Sequence, residues 1–239
     1  MKKTTCFIFL MAMLQASVNM HAQDSLSKHT YIYKKGDPNG IGKWYMGREI
    51  AYVMGYQGIG WLERTEREEE EKTAKLLSNM NIDSKDVIAD IGAGSGYHVF
   101  KMSQMAHKGL IYAVDIQPEM LVAMAYKIAA EDVKNVETIQ GGEQSDNLPE
   151  NSIDKVLMVD VYHEFNYPAE MLASIKKALK PNGKIFLIEY RGEEGSVPIK
   201  TIHKMTEQQA VKEFKAAGFV LENNIDNLPW QHCMIFTIK

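Results

Sequence analysis

The apolar positions of this chain change period along its length. Beyond Asp86, short apolar runs at 87–91, 110–115, 136–140, 155–159 and 184–190 alternate with helical spacing at 97–105, 119–131 and after Pro168. Continuous short apolar runs read as strands buried on both faces, and their alternation with helices builds a parallel sheet between two helical layers. Pro168 suits the first position of a helix, and Pro181-Asn182-Gly183 is expected to stop that helix and turn the chain. Thr206 and Gln209 form a capping box for a helix ending at Gly218. The last two runs, 219–222 and 232–238, have a connection too short for a helical crossover, so they are expected to pair antiparallel. The pattern gives a doubly wound α/β fold, with a mostly parallel sheet of seven strands and an antiparallel last strand.

Upstream the rhythm is less regular. Thr65 and Glu68 fit a capping box for a helix reaching about Met80. Pairs Glu68–Lys72 and Glu71–Lys75 would make its acidic run a solvated face. Residues 31–62 are rich in glycine and aromatics, which argues against one long helix. A short helix at 45–54 is expected there, and the segment either lids a pocket or packs on the sheet edge. At the start, Lys2 and Lys3 precede an apolar run from Cys6 to Leu14, then small and polar residues to Ala22. That is the three-part pattern of an export signal, and the run is shorter than the ~20 residues of a spanning helix. The organisation expected is a leader at 1–22, an N-terminal segment at 23–64 and the main domain at 65–239, exported and without a membrane span once the leader is removed.

Composition narrows the chemistry. The 239 residues carry a formal net charge of −4 with 45% apolar and 24% charged residues, which describes a folded domain without the basic surplus of a nucleic-acid binder. Of two cysteines, Cys6 lies in the leader, which leaves Cys233 alone and removes a disulfide framework or cysteine-based zinc site. No paired metal ligands stand out.

The strongest chemical signal is Asp90-Ile91-Gly92-Ala93-Gly94-Ser95-Gly96, directly after the first main strand and opening a helix. Glycines there permit a tight turn and close approach of a ligand to the backbone, and a helix N-terminus favours an anionic group. A nicotinamide fingerprint wants a G-x-G-x-x-G spacing, and here Tyr97 occupies the site of the third glycine. Asp115 ends the second main strand, where a carboxylate accepts both hydroxyls of a ribose. Asp160-Val161-Tyr162-His163-Glu164 follows the fourth main strand, at the sheet edge where ligands of such folds bind. His163, or Glu164 in its place, is a candidate general base, and His163 is alternatively a residue that orders the loop.

The glycine spacing with its preceding acid resembles motif I of the class I S-adenosylmethionine-dependent methyltransferases, a Rossmann-like family. The resemblance covers 86–190 well and the last strands loosely. It implies that S-adenosylmethionine is the cofactor, held by Gly92, Gly94 and Gly96, with Asp90 near its ammonium, Asp115 on its ribose and Ile116 against its adenine. Adenine recognition falls to Glu143, with Gln144 and Asp146 as competitors, and Asp160 also borders the cofactor. Tyr162 and Arg191 are candidate substrate contacts, although Arg191 can equally pair with Glu189 or Glu164. The acceptor expected is a small molecule rather than nucleic acid. Two other readings stay open: a non-catalytic S-adenosylmethionine binder or sensor, and a nicotinamide oxidoreductase. Export stands in tension with a cofactor made in the cytoplasm.

Overall fold

The computed structural model describes residues 31–239, and the leader expected at 1–22 lies outside them. A small antiparallel sheet comes first: β1 (Tyr31–Tyr33), β2 (Gly40–Tyr45) and β3 (Arg48–Ala51). The helix expected at 45–54 is therefore a hairpin. Met46 and Gly47 both take positive φ (48° and 104°), the geometry a two-residue hairpin turn needs. Three short helices follow: α1 (Ile59–Leu62), α2 (Arg67–Glu71) and α3 (Thr73–Met80).

The single helix expected up to Met80 is thus broken. Lys72 sits between α2 and α3 in the left-handed region, and Thr65 does not cap. Glu68 instead turns forward, and its carboxylate accepts from the Ala74 amide in the first turn of α3. Glu71 is buried rather than solvated, because Arg64, Arg67 and the Tyr190 hydroxyl all donate to it.

The main domain then runs β4 (Val87–Ile91), α4 (Val99–Met105), β5 (Leu110–Asp115), α5 (Pro118–Ala130), β6 (Val136–Gln140) and β7 (Ile153–Val159). It closes with α6 (Pro168–Ala178), β8 (Leu179–Tyr190), α7 (Glu207–Ala216), β9 (Phe219–Asn224) and β10 (Gln231–Ile238). The seven strands lie in the order β6-β5-β4-β7-β8-β10-β9. The first five are parallel, and β10 runs antiparallel to both of its neighbours. Pro181-Asn182-Gly183, expected to stop α6 and turn the chain, lies beyond the helix end at Ala178 and forms an irregularity inside β8, between the Ile153–Leu179 and Lys155–Lys184 pairs.

Successive residues of a strand point to opposite faces, and the core shows it. On β8, Ile185 and Leu187 pack with Leu172, Ile175 and Phe214 of α6 and α7. Phe186 and Ile188 pack on the other face with Leu76, Met80, Val99 and Met102 of α3 and α4. Burial on both faces explains why these strands read as unbroken apolar runs. The Thr206 hydroxyl accepts from the Gln209 amide and caps α7, which ends before Gly218 at φ +84°. The small sheet is tied to the domain by Arg48, which pairs with buried Glu213 of α7 at 2.7 Å and donates to the His163 carbonyl.

Candidate active site

A cavity of about 560 Å³ opens over the carboxyl ends of β4, β5, β7 and β8. That volume is within the roughly 300–1,000 Å³ of small-molecule sites. Gly92 and Gly94 form part of its wall, at φ +78° and +54°. A Cβ on Gly92 would stand 2.4 Å from Val161 Cγ2, and one on Gly94 2.6 Å from Leu62 Cδ1. Only glycine keeps this stretch of backbone open to a ligand. Gly96 lies behind the wall, where it packs against Phe100 and Met124.

Asp115 is held between the loop and α5. Its Oδ2 accepts from the Gly94 amide and its Oδ1 from the Gln117 amide, both at 2.9 Å. Burial raises its pKa, and these amide bonds oppose the rise. Asp90 is buried beneath the loop with Oδ2 unpartnered among the described residues. Burial pushes its carboxyl up to about 7. Asp160, at φ +50°, reaches the cavity, where Gln231 donates to Oδ2 while Oδ1 lacks a partner among the described residues. Ile116 is partly exposed on the wall, and Glu143 lines it while accepting from Asn166. Asp146 is no rival for adenine: it is buried against Ser174 and the Leu148 amide. A glycine cradle, a carboxylate on the strand end beside it and unpartnered buried carboxylate oxygens fit a ligand carrying an ammonium and ribose hydroxyls.

Across the cavity stands a second group. His163 is buried on the cavity wall, and its Nδ1 donates to Glu189 Oε2 at 2.6 Å, which leaves Nε2 as the acceptor nitrogen. Burial lowers the His163 pKa, but the Glu189 carboxylate outweighs it and the net direction is upward. Nε2 lies 3.1 Å from His203 Nδ1. Burial, helped by His163, pulls His203 down to about 4. Glu164 accepts from the Met54 amide, and burial pushes it up to about 7. The mouth is bordered by Val53, Met54, Trp61 and Leu62 of the N-terminal segment. Gln117 pins that border, as its side chain accepts from the Tyr56 amide and donates to the Met54 carbonyl.

Two expectations are corrected. Tyr162 is no substrate contact: it is fully buried, its hydroxyl donating to Glu213 and its ring against Phe214 and Phe165. Arg191 is outside the cavity wall, bound to Asp226 and the Pro229 carbonyl near the start of β10. His163, Glu164 and His203, none of them expected as metal ligands, bring three donor atoms within 4.8 Å of one another. His203, which the sequence offers as a pocket-wall residue or an ordinary packed one, is on the wall, and the fold brings it to His163 across forty residues of chain. Arg67 and Glu71, also on the wall, were hidden in what reads as a solvated acidic helix.

An open α/β sheet with a glycine cradle and an acid at the next strand end defines a nucleotide-cofactor enzyme of the Rossmann-like kind. Residues 82–234 match the model of the "Methyltransferase domain" family, and the chain belongs to that family as an S-adenosylmethionine-dependent methyltransferase. The nicotinamide alternative therefore falls. Among relatives, the chain is 32% identical over 145 residues to the uncharacterized methyltransferase YdaC of Bacillus subtilis strain 168, covering 60% of this chain and 76% of that protein. It is 30% identical over 135 residues to a tRNA U34 carboxymethyltransferase of Campylobacter curvus, covering 54% of this chain and 44% of that enzyme. The crystal structure of an S-adenosylmethionine-dependent methyltransferase from Aquifex aeolicus shares the fold, with a TM-score of 0.74 at 24% identity over 78% of this chain and all of that one.

Proposed function

We propose that this protein methylates a small-molecule acceptor whose nucleophilic atom arrives carrying a proton. The observation that carries the reading is His163, a cavity-wall residue whose Nδ1 is fixed by Glu189 and whose Nε2 stands beside His203 on the same wall. Gly92, Gly94 and Asp115 would hold S-adenosylmethionine, with Asp90 acting on its ammonium through water. When bound, S-adenosylmethionine supplies a methyl group on a sulfonium, already a good leaving group. The protein's work is then alignment and exclusion of water. The Glu189 carboxylate fixes the His163 tautomer, so Nε2 is the atom that accepts the acceptor's proton. Val53, Met54, Trp61 and Leu62 act as a lid over the mouth. Their apolar lining and the net charge of −4 favour a small apolar acceptor over a polyanion.

The test is transfer of labelled methyl to a panel of phenols, enols, quinols and amines, with bulk tRNA alongside. Label in a small molecule, falling ~10²–10⁴-fold in His163→Ala, is the expected result. Label in tRNA alone overturns the acceptor class, and no label anywhere favours a non-catalytic binder. We also infer export from the basic start, apolar run and Ala22. Cell fractionation should place the protein outside the cytoplasm with Gln23 as its first residue, and a cytoplasmic chain retaining Met1 contradicts it.

A further inference from the structure

His163, Glu164 and His203 come from two separate turns, Tyr162–Glu164 after β7 and Thr201–His203 before α7. Among the described residues, they are the one group of at least three histidine, cysteine or acidic side chains with donor atoms close enough to share an ion. His163 Nε2 is 3.1 Å from His203 Nδ1, and Glu164 Oε1 is 3.8 Å from each nitrogen. The circle through these three atoms has a radius of about 2.1 Å, the length of a metal–imidazole or metal–carboxylate bond. We propose that this triad binds a divalent first-row transition metal at the acceptor side of the cavity.

The surroundings support it. A metal-bound histidine usually donates its other ring N–H to a carboxylate, which sets the tautomer and makes the ligand nitrogen more basic. His163 does so to buried Glu189 at 2.6 Å, and Glu189 also accepts from the His163 amide. The Met54 amide orients Glu164 at the ligand oxygen itself. The Arg48 guanidinium fixes the turn through the His163 carbonyl. Two imidazoles and one carboxylate suit zinc, iron, cobalt or nickel better than magnesium or calcium, which prefer oxygen. All three residues line the cavity, so the remaining coordination positions face an acceptor. A metal there lowers the pKa of an oxygen acid that binds to it. It points to an acceptor that is itself an oxygen ligand, such as an enolate or phenolate; with the metal on His163 Nε2, the metal rather than that nitrogen promotes loss of the acceptor's proton, which leaves to solvent. The inference deepens the proposed function and rests on its reading of this group as the acceptor side.

The test is titration of the chelator-treated full chain with Co²⁺, followed by its visible absorption and by calorimetry. One equivalent per chain, with the spectrum of mixed nitrogen and oxygen ligation, is expected. His203→Ala and Glu164→Gln should each weaken it at least tenfold while circular dichroism shows the fold intact. Glu189→Gln should weaken it about 10–100-fold without touching a ligand. Absence of saturable Co²⁺ binding overturns the site, as does binding that persists unchanged in His203→Ala. The readout needs neither cofactor nor turnover. Methyl transfer without Co²⁺ binding therefore removes the metal and leaves the proposed function, and Co²⁺ binding without transfer does the reverse.

Discussion

Asp90 is a carboxyl removed from water, and its chemistry at this scale is a matter of protons. Burial, with Asp115 adding to it and Arg67 opposing, lifts it from 3.8 to about 7. A group raised in the folded state stabilises that state below its unfolded pKa and loses the contribution as pH rises through its folded value. The cofactor-free protein should therefore lose stability between about pH 4 and 7 through Asp90. Asp90→Asn should flatten that part of a Tm-against-pH curve. A cofactor ammonium needs the carboxylate, so affinity for S-adenosylmethionine should rise with pH through about 7. Calorimetry in buffers of different ionisation enthalpy would show the accompanying proton release. Asp90 and the glycines were legible because their spacing lies within one strand–turn–helix, and Asp115 because it ends the next strand. Glu189 and His203 were legible only as residues near the site, since their roles come from His163, which the fold brings to them from another part of the chain. Tyr162 misled for the same reason: its neighbours face the cavity, but its own ring turns into the core toward Glu213.

The β2–β3 hairpin shows how an element is fixed from a distance. Arg48 enters α7's territory and meets Glu213, which also accepts from Tyr162 and Gln209. Removing one partner of a buried pair leaves a charge unmatched, at a cost of roughly 3–5 kcal/mol. Glu213→Ala should thus lower Tm by roughly 10 °C, and the double variant Arg48→Met, Glu213→Leu should regain much of it. A double variant no better than Glu213→Ala would remove the pairing argument. The glycine loop makes a second element-scale case. Gly92→Ala adds a Cβ 2.4 Å from Val161 Cγ2 at a positive φ, and overpacking of this kind costs roughly 1–3 kcal/mol. Urea unfolding should show it together with weakened cofactor binding. The central strands were readable because both faces of each are buried. The hairpin and the break at Lys72 were not, because glycine-rich and acidic stretches show no period. What fixes them is contact with α7, Tyr190 and the arginines.

At the scale of the whole molecule, the sheet brings two unlike chemistries to one edge. The ends of β4 and β5 carry the glycine cradle and Asp115, and the ends of β7 and β8 carry His163 and Glu189. The N-terminal segment spans both, anchored to Gln117 on one side and Glu164 on the other. No described helix is long and apolar enough to cross a membrane. The central claim is that the cradle and Asp115 hold the methyl donor, and calorimetric titration with S-adenosylmethionine and its demethylated product tests it most directly. Hydrogen bonds to a charged group contribute about 1.5–3 kcal/mol, so Asp115→Asn should weaken both ligands roughly 10–100-fold. Saturable binding of both by the wild-type chain, reduced by that amount in the variant, is the predicted result. Binding that ignores Asp115→Asn, or wild-type chain that takes up neither ligand, would contradict the account.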